Sequence, residues 1–284
     1  ASNKMQREAV PFLVPEASSE PKAWLGDVKD SGAPAASGNA LAWMSATADQ
    51  SPPKVVPASL PSGHRDYVFV LGLPKCGTSS LHDAFISAGF RSTHWALNAG
   101  KNLQDDKALR LSGTDANQRL IAHLMQNAVN DGKPPMAYLP AEVDAVAEMN
   151  GLYWKDKQRG LVEGIFPQMS CLEQLVQAYP QAFFILNTRD HEAWVKSVDN
   201  HLDMRQRLVS AELPGLPKGK GGTDQELIEW VAAHHQRVRD LLSARGCRLL
   251  CFDIDQHGEA ELSSFLGRPL VWPHSNATPA WKCN

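Results

Sequence analysis

The residues best placed to do chemistry lie in one short stretch, Val70-Leu-Gly-Leu-Pro-Lys-Cys-Gly-Thr-Ser-Ser-Leu81. It follows a β-rich run, Tyr67-Val-Phe-Val-Leu71, and leads into a helical pattern through Leu81, Phe85 and Ala88. A glycine-containing loop between a strand and a helix is a natural anion cradle. Its backbone N–H groups and the helix dipole both point at the ligand. The spacing of Gly72 and Gly77 matches the opening of the nucleotide-binding pattern G-x-x-x-x-G-K-[ST]. The next position departs from it: Thr78 stands where the lysine belongs, and the only lysine, Lys75, sits inside the loop. An ATP-dependent enzyme would thereby lose the lysine that reaches its β- and γ-phosphates, and no acidic strand end stands out to hold Mg²⁺. A kinase or nucleotide hydrolase with a displaced lysine stays open at this point.

The elements around that loop alternate. Apolar, strand-like runs fall at 67–71, 90–94, 160–165, 182–187 and 248–254. Between them lie helical stripes: Leu120, Ile121, Leu124 and Ala128; Leu172, Leu175 and Val176; Trp194 and Val198; and Leu227, Val231, Val238, Leu241 and Leu242. Asp190 is an expected helix cap, and Gly246 an expected stop. Apolar strands separated by helices predict an α/β fold of three αβα layers. Its central sheet would be mainly parallel, five-stranded and P-loop NTPase-like.

The sequence Pro74-Lys-Cys-Gly-Thr-Ser-Ser80 resembles the 5′-phosphosulfate loop, P-K-x-G-T-[ST]-x, of sulfotransferases that use 3′-phosphoadenosine 5′-phosphosulfate (PAPS). The family's second hallmark is a strand ending in Arg with a Ser eight residues on. Phe184-Ile-Leu-Asn-Thr-Arg189 followed by Ser197 is similar to it. The tail, with Phe265-Leu-Gly267 and Pro273-His-Ser-Asn276, resembles a branch with an FLG element and a P-H-x-N element. The resemblance spans roughly residues 66–277. One departure is the Arg-Lys-Gly segment that cytosolic small-molecule enzymes carry near their C-terminus; Lys218-Gly-Lys-Gly-Gly222 has a similar composition but lies before the last long helix.

The resemblance implies sulfuryl transfer from PAPS to a hydroxyl or amine, with 3′,5′-ADP released. It implies that Pro74, Lys75, Cys76, Gly77, Thr78, Ser79 and Ser80 hold the 5′-phosphosulfate, and that Arg189 and Ser197 hold the 3′-phosphate. Lys75 would stabilise charge on the leaving group. No metal is expected, because the His, Asp and Glu residues show no ligand spacing. For the base that takes the acceptor's proton there are two candidates. Glu163, near the end of the strand at 160–165, is the favoured one, with His94 as an acceptor-pocket residue; the reverse assignment is its competitor. Trp95, Tyr138, Tyr153 and Trp154 are candidate linings of an acceptor pocket. An inactive sulfotransferase-fold binding module is a further alternative.

Composition narrows the partners. The 284 residues carry a net charge of −3, which gives no basic surplus for nucleic acid. No apolar run approaches the ~20 residues of a membrane-spanning helix. A small-molecule acceptor is expected. The five cysteines, an odd number without zinc-ligand spacing, read as reduced thiols and favour a cytoplasmic setting. Residues 1–63 hold 8 of the 19 prolines and no sustained period. They read as a flexible Pro/Ala/Ser-rich arm, with a short helix near Asn39–Ser45, ahead of a catalytic domain over 64–284.

Overall fold

The structure is a computed structural model and describes residues 66–97 and 120–273. The arm at 1–63, its short helix, and residues 274–276 of the P-H-x-N element lie outside the described residues. The chain forms β1 (Val68–Val70), α1 (Thr78–Ser87), β2 (Ser92–His94), α2 (Ile121–Asn130), β3 (Ala145–Glu148) and the strands β4 (Gly151–Asp156) and β5 (Leu161–Ile165). There follow α3 (Pro167–Ser170), α4 (Leu172–Ala178), β6 (Phe183–Thr188), α5 (His191–Asp199) and α6 (Met204–Ser210). The described chain ends with α7 (Asp224–Ala244), β7 (Arg248–Asp253) and α8 (Glu259–Leu266).

The central sheet runs β2-β3-β1-β6-β7, and every neighbouring pair in it is parallel. The inner strands β3, β1 and β6 are buried on both faces, so they read as nearly continuous apolar runs rather than alternating ones. The period of two still sorts the side chains. Phe69, Leu71, Phe184 and Leu186 pack with Ile121 and Met125 of α2, Leu172 and Leu175 of α4, and Val238 and Leu242 of α7. Val68, Val70, Phe183 and Ile185 face the other way, onto Leu81 and Phe85 of α1 and Leu262 and Leu266 of α8. These two cores make the three αβα layers. A third cluster, with Leu73, Phe166, Trp194, Val198, Leu208, Leu227 and Trp230, fills the space beneath the loop that follows β1.

Local signals end the elements where expected. Asp190 caps α5 by accepting from Ala193 N at 2.8 Å. A capping box of Thr223 and Glu226 starts α7, and Gly246, with φ 62°, follows its end. No helix among the described residues is long and apolar enough to cross a membrane.

One strand is corrected. Residues 161–165 are extended, but they pair antiparallel with β4 in a separate two-stranded sheet. The fifth place in the central sheet, expected for them, belongs to β3, Ala-Val-Ala-Glu, which lies beside β1. β3 has little strand propensity of its own; parallel neighbours on both sides and burial on both faces hold it extended.

Candidate active site

The loop after β1 leaves the carboxyl end of the sheet at its middle strand. From there the chain first builds β2 and β3 on one side and later β6 and β7 on the other. Such a switch point is where open parallel sheets bind ligands. Within the loop Lys75 and Gly77 both adopt left-handed conformations, each with φ 73°. This turns the chain into α1, whose N-cap Gly77 supplies no side-chain cap and whose first turn has no acidic residue. The first amides of α1 are therefore left for a ligand.

That helix start opens onto a cleft of about 830 Å³, within the ~300–1,000 Å³ usual for small-molecule sites. Six of the seven loop positions predicted from the sequence, Pro74, Lys75 and Gly77 to Ser80, line it, as do Arg189, Ser197 and His94. Arg189 stands one residue past β6, and Ser197 lies on α5. Cys76 is the exception. Its side chain is buried in the core under the loop, and burial pushes its thiol up to about 12, so it stays neutral. Only its main chain belongs to the loop.

Two cations of the cleft, Lys75 and Arg189, are arranged for an anion. Burial lowers the pKa of Lys75; Glu148 opposes that effect, and Arg189 adds to it. Arg189 makes only a 3.5 Å contact with Asp255, and its buried Nε has no hydrogen-bond partner among the described residues. A phosphate or sulfate between the two would relieve both the repulsion and the under-coordination. The residues present thus fit an anionic nucleotide.

Next to the loop lies a group the sequence reading missed. Glu148, at the end of β3, places Oε2 2.9 Å from His94 Nε2 and accepts from Thr78 Oγ1 at 2.5 Å. Its other oxygen, Oε1, accepts from Asn150 Nδ2 at 3.2 Å. His94 Nε2 is also 3.1 Å from Thr78 Oγ1. Burial alone would raise the Glu148 pKa. The His94 imidazole and the hydrogen bonds from His94, Thr78 and Asn150 outweigh it and hold the carboxyl below its ordinary range. An ionised carboxylate thus backs a histidine at the edge of the loop after β1.

Glu163 is not brought to this place. It faces Tyr153, whose hydroxyl donates to Oε2 at 2.8 Å, and Lys155 at 3.5 Å, and it is not among the residues lining the cleft. Of the four candidate aromatics, Trp95 lines the cleft and Tyr138, Tyr153 and Trp154 do not. The 218–222 loop turns back onto α7, where Lys220 pairs with Glu226 at 3.1 Å. The cleft wall is instead completed by Asn150, Leu152, His201, Leu202, Met204 and Arg207. Arg207 is neutralised by Asp203 at 2.9 Å, whereas Leu202 is 85% exposed. Lys75, Trp95 and Leu202 are the non-glycine residues with positive φ among the described residues, and all three line this cleft. Backbone strain of this kind concentrates at functional sites. No three His, Cys, Asp or Glu side chains among the described residues converge as metal ligands.

Residues 162–281 match the family described as the sulfotransferase domain. Over that segment, less than half of its length, the chain is similar to a sulfotransferase domain. The match takes in Arg189 and Ser197 and begins after the loop at 72–80, so the loop's role rests on its geometry. Among curated proteins none matches the chain significantly.

Proposed function

We propose that the protein transfers the sulfuryl group of PAPS to a hydroxyl or amine of a small acceptor and releases 3′,5′-ADP. The observation that carries this reading is the uncapped start of α1 with Lys75 and Arg189 on one cleft, facing a His94–Glu148 pair. PAPS supplies an activated sulfuryl group on a phosphate leaving group; the protein's own residues do the rest. The loop amides and the Ser79 hydroxyl bind the 5′-phosphate, and Arg189 with Ser197 binds the 3′-phosphate. Lys75 stabilises the charge that grows on the leaving oxygen, a preorganised electrostatic effect.

His94 takes the acceptor's proton. The Glu148 carboxylate orients the imidazole and stabilises the imidazolium that results, as a buried carboxylate does behind a catalytic histidine. This assignment reverses the one favoured from sequence, because Glu148 and His94 are on the cleft wall and Glu163 is not. The exposed Leu202, with Trp95, Leu152 and Met204, gives the acceptor side an apolar lip suited to a small, uncharged compound.

A kinase reading would need Thr78 and Glu148 to hold Mg²⁺. The Glu148 oxygens are instead engaged by three hydrogen-bonding groups, His94, Thr78 and Asn150, which disfavours a cation there. An inactive binding module would have no use for the His94–Glu148 pair.

Thermal unfolding with nucleotides tests the proposal. 3′,5′-ADP should stabilise the protein by about 2.7 kcal/mol at a hundredfold excess over its Kd, and 5′-AMP at the same concentration by clearly less, with EDTA indifferent. Arg189→Ala should abolish most of the difference between the two nucleotides. Equal shifts from both in the wild type would remove the 3′-phosphate from the proposal.

A further inference from the structure

The phosphate loop is held from behind by side chains that bind its carbonyls. His234 of α7 places Nε2 2.7 Å from Leu71 O, so that nitrogen carries the proton. Trp194 Nε1 donates to Pro74 O at 2.8 Å, and Asn187 Nδ2 donates to Cys76 O at 2.6 Å. Asn187 Oδ1 also accepts from Gly72 N at 2.8 Å. With Leu71, Pro74 and Cys76 turned backward and satisfied, the amides at the start of α1 face the cleft. Asn187 and Trp194 are both buried, and neither lines the cleft.

Their place in the chain gives the contacts a second meaning. Asn187 lies two residues before Arg189, and Trp194 three before Ser197. The single segment β6–α5 therefore carries the second anion-binding pair and also grips the first anion-binding loop. Gly72 fits this arrangement only because it lacks a side chain: a Cβ there would lie 2.1 Å from Asn187 O and 2.2 Å from its Oδ1.

We propose that Asn187 and Trp194 are positioning residues that set the distance and angle between the two phosphate subsites. In that role they make a nucleotide with two separated phosphates bind better than its halves would suggest. The inference rests on the reading of the cleft as a site for a 3′,5′-bisphosphorylated nucleotide. It adds a specific role for two residues that touch no ligand. The mechanism is chelation: a loop held in register lets the second phosphate bind without further ordering, whereas a loosened loop must be ordered anew.

The test uses the full chain and three probes, 5′-AMP, 3′-AMP and 3′,5′-ADP, with Kd values from calorimetry. The variants are Trp194→Phe, which removes the indole donor and keeps a large aromatic, and Asn187→Asp, which keeps an acceptor for Gly72 N and loses the donor to Cys76 O. Melting curves check that each is folded; if Asn187→Asp does not fold, Trp194→Phe alone decides. Registration predicts a loss of 3′,5′-ADP affinity about three- to tenfold larger than the combined losses for the two monophosphates, as expected of coupled sites. Loss that is equal for all three probes, or no loss, overturns the positioning role. If the wild type binds 3′,5′-ADP no better than 5′-AMP, the proposed function itself fails, which is a distinct result.

Discussion

Acidification should unfold this protein earlier than its carboxylates alone would require, because three buried histidines are held neutral. Burial pushes His82 down to about 4, His234 to about 4 and His235 to about 3, from an ordinary 6.5. The neighbouring rings add to it: His94 lies 5.7 Å from His82, and His191 and His234 lie 5.6 and 6.1 Å from His235. Asp83 opposes the effect at His82; Arg237 reinforces it at His234, and Arg239 at His235. Between the folded and unfolded pKa values the unfolded chain binds more protons, so stability falls as pH falls. The contribution is intact above pH ~6.5 and is lost progressively toward pH ~4.

Each histidine then contributes about 1.4 kcal/mol per pH unit within that window, or about 2 kcal/mol at pH 5. For three groups this approaches the whole of an ordinary ~5–15 kcal/mol stability. His123 and His201 are lowered too, and Glu148 acts in the same direction once the pH drops below the usual carboxylate range. Urea unfolding followed by circular dichroism from pH 7.5 to 5 should give a plateau above pH 7 and a slope near ~4 kcal/mol per unit below pH 6. His235→Phe should remove about a third of that slope, since the His235 Nε2 has no hydrogen-bond partner to lose among the described residues. A stability that stays flat from pH 7.5 to 5, or a slope that His235→Phe leaves unchanged, would refute the reasoning.

Three further outcomes are expected. Gly72→Ala forces Asn187 away and strands two buried hydrogen-bonding groups; it should cost ~3 kcal/mol or more and lower Tm by ~6–12 °C, read by calorimetry. Lys75→Ala should reduce kcat by ~10²-fold or more in a PAPS-dependent assay that follows 3′,5′-ADP release, with an unchanged kcat excluding it from the chemistry. His94→Asn should cost ~10²–10⁴ in kcat and Glu148→Gln a smaller part of that range, whereas Glu163→Gln should stay near wild type; a dead Glu163→Gln beside an active His94→Asn would restore the sequence-based assignment.

Much of the fold could be read from the chain because the signals were local. The run 67–71, the helix punctuation at Asp190 and Gly246, and the stripe of α7 each carry their own period or cap. The loop at 74–80 was legible for the same reason: its residues are contiguous, and its shape depends on where the strand stops and the helix starts. Arg189 and Ser197 were accessible as well, since one strand end and one helix fix their separation. Asn187 and Trp194 lay in the same segment and looked like ordinary core residues. Their importance comes from contacts with residues 111 and 120 positions away, which no local pattern encodes.

The separation of Glu163 from the cleft has a single physical origin. Residues 161–165 and 151–156 hold the β-branched and aromatic residues that favour extended chain, so the strand there is real. What propensity cannot state is the partner. The segment Ala145–Glu148 is a weak strand former, yet it fits beside β1 because small side chains at 145 and 147 face α1, with Val146 on the opposite side. Once that strand is in place, its last residue must emerge at the carboxyl edge of the sheet, next to the end of β2. The Glu148 carboxylate then meets His94 and Thr78 as a consequence of register, since His94 pairs with Glu148 across β2 and β3. A carboxylate on the β4–β5 hairpin belongs to another sheet and has no such constraint to bring it there. The position of the acid therefore follows from strand order, and strand order is decided by packing between segments distant in sequence.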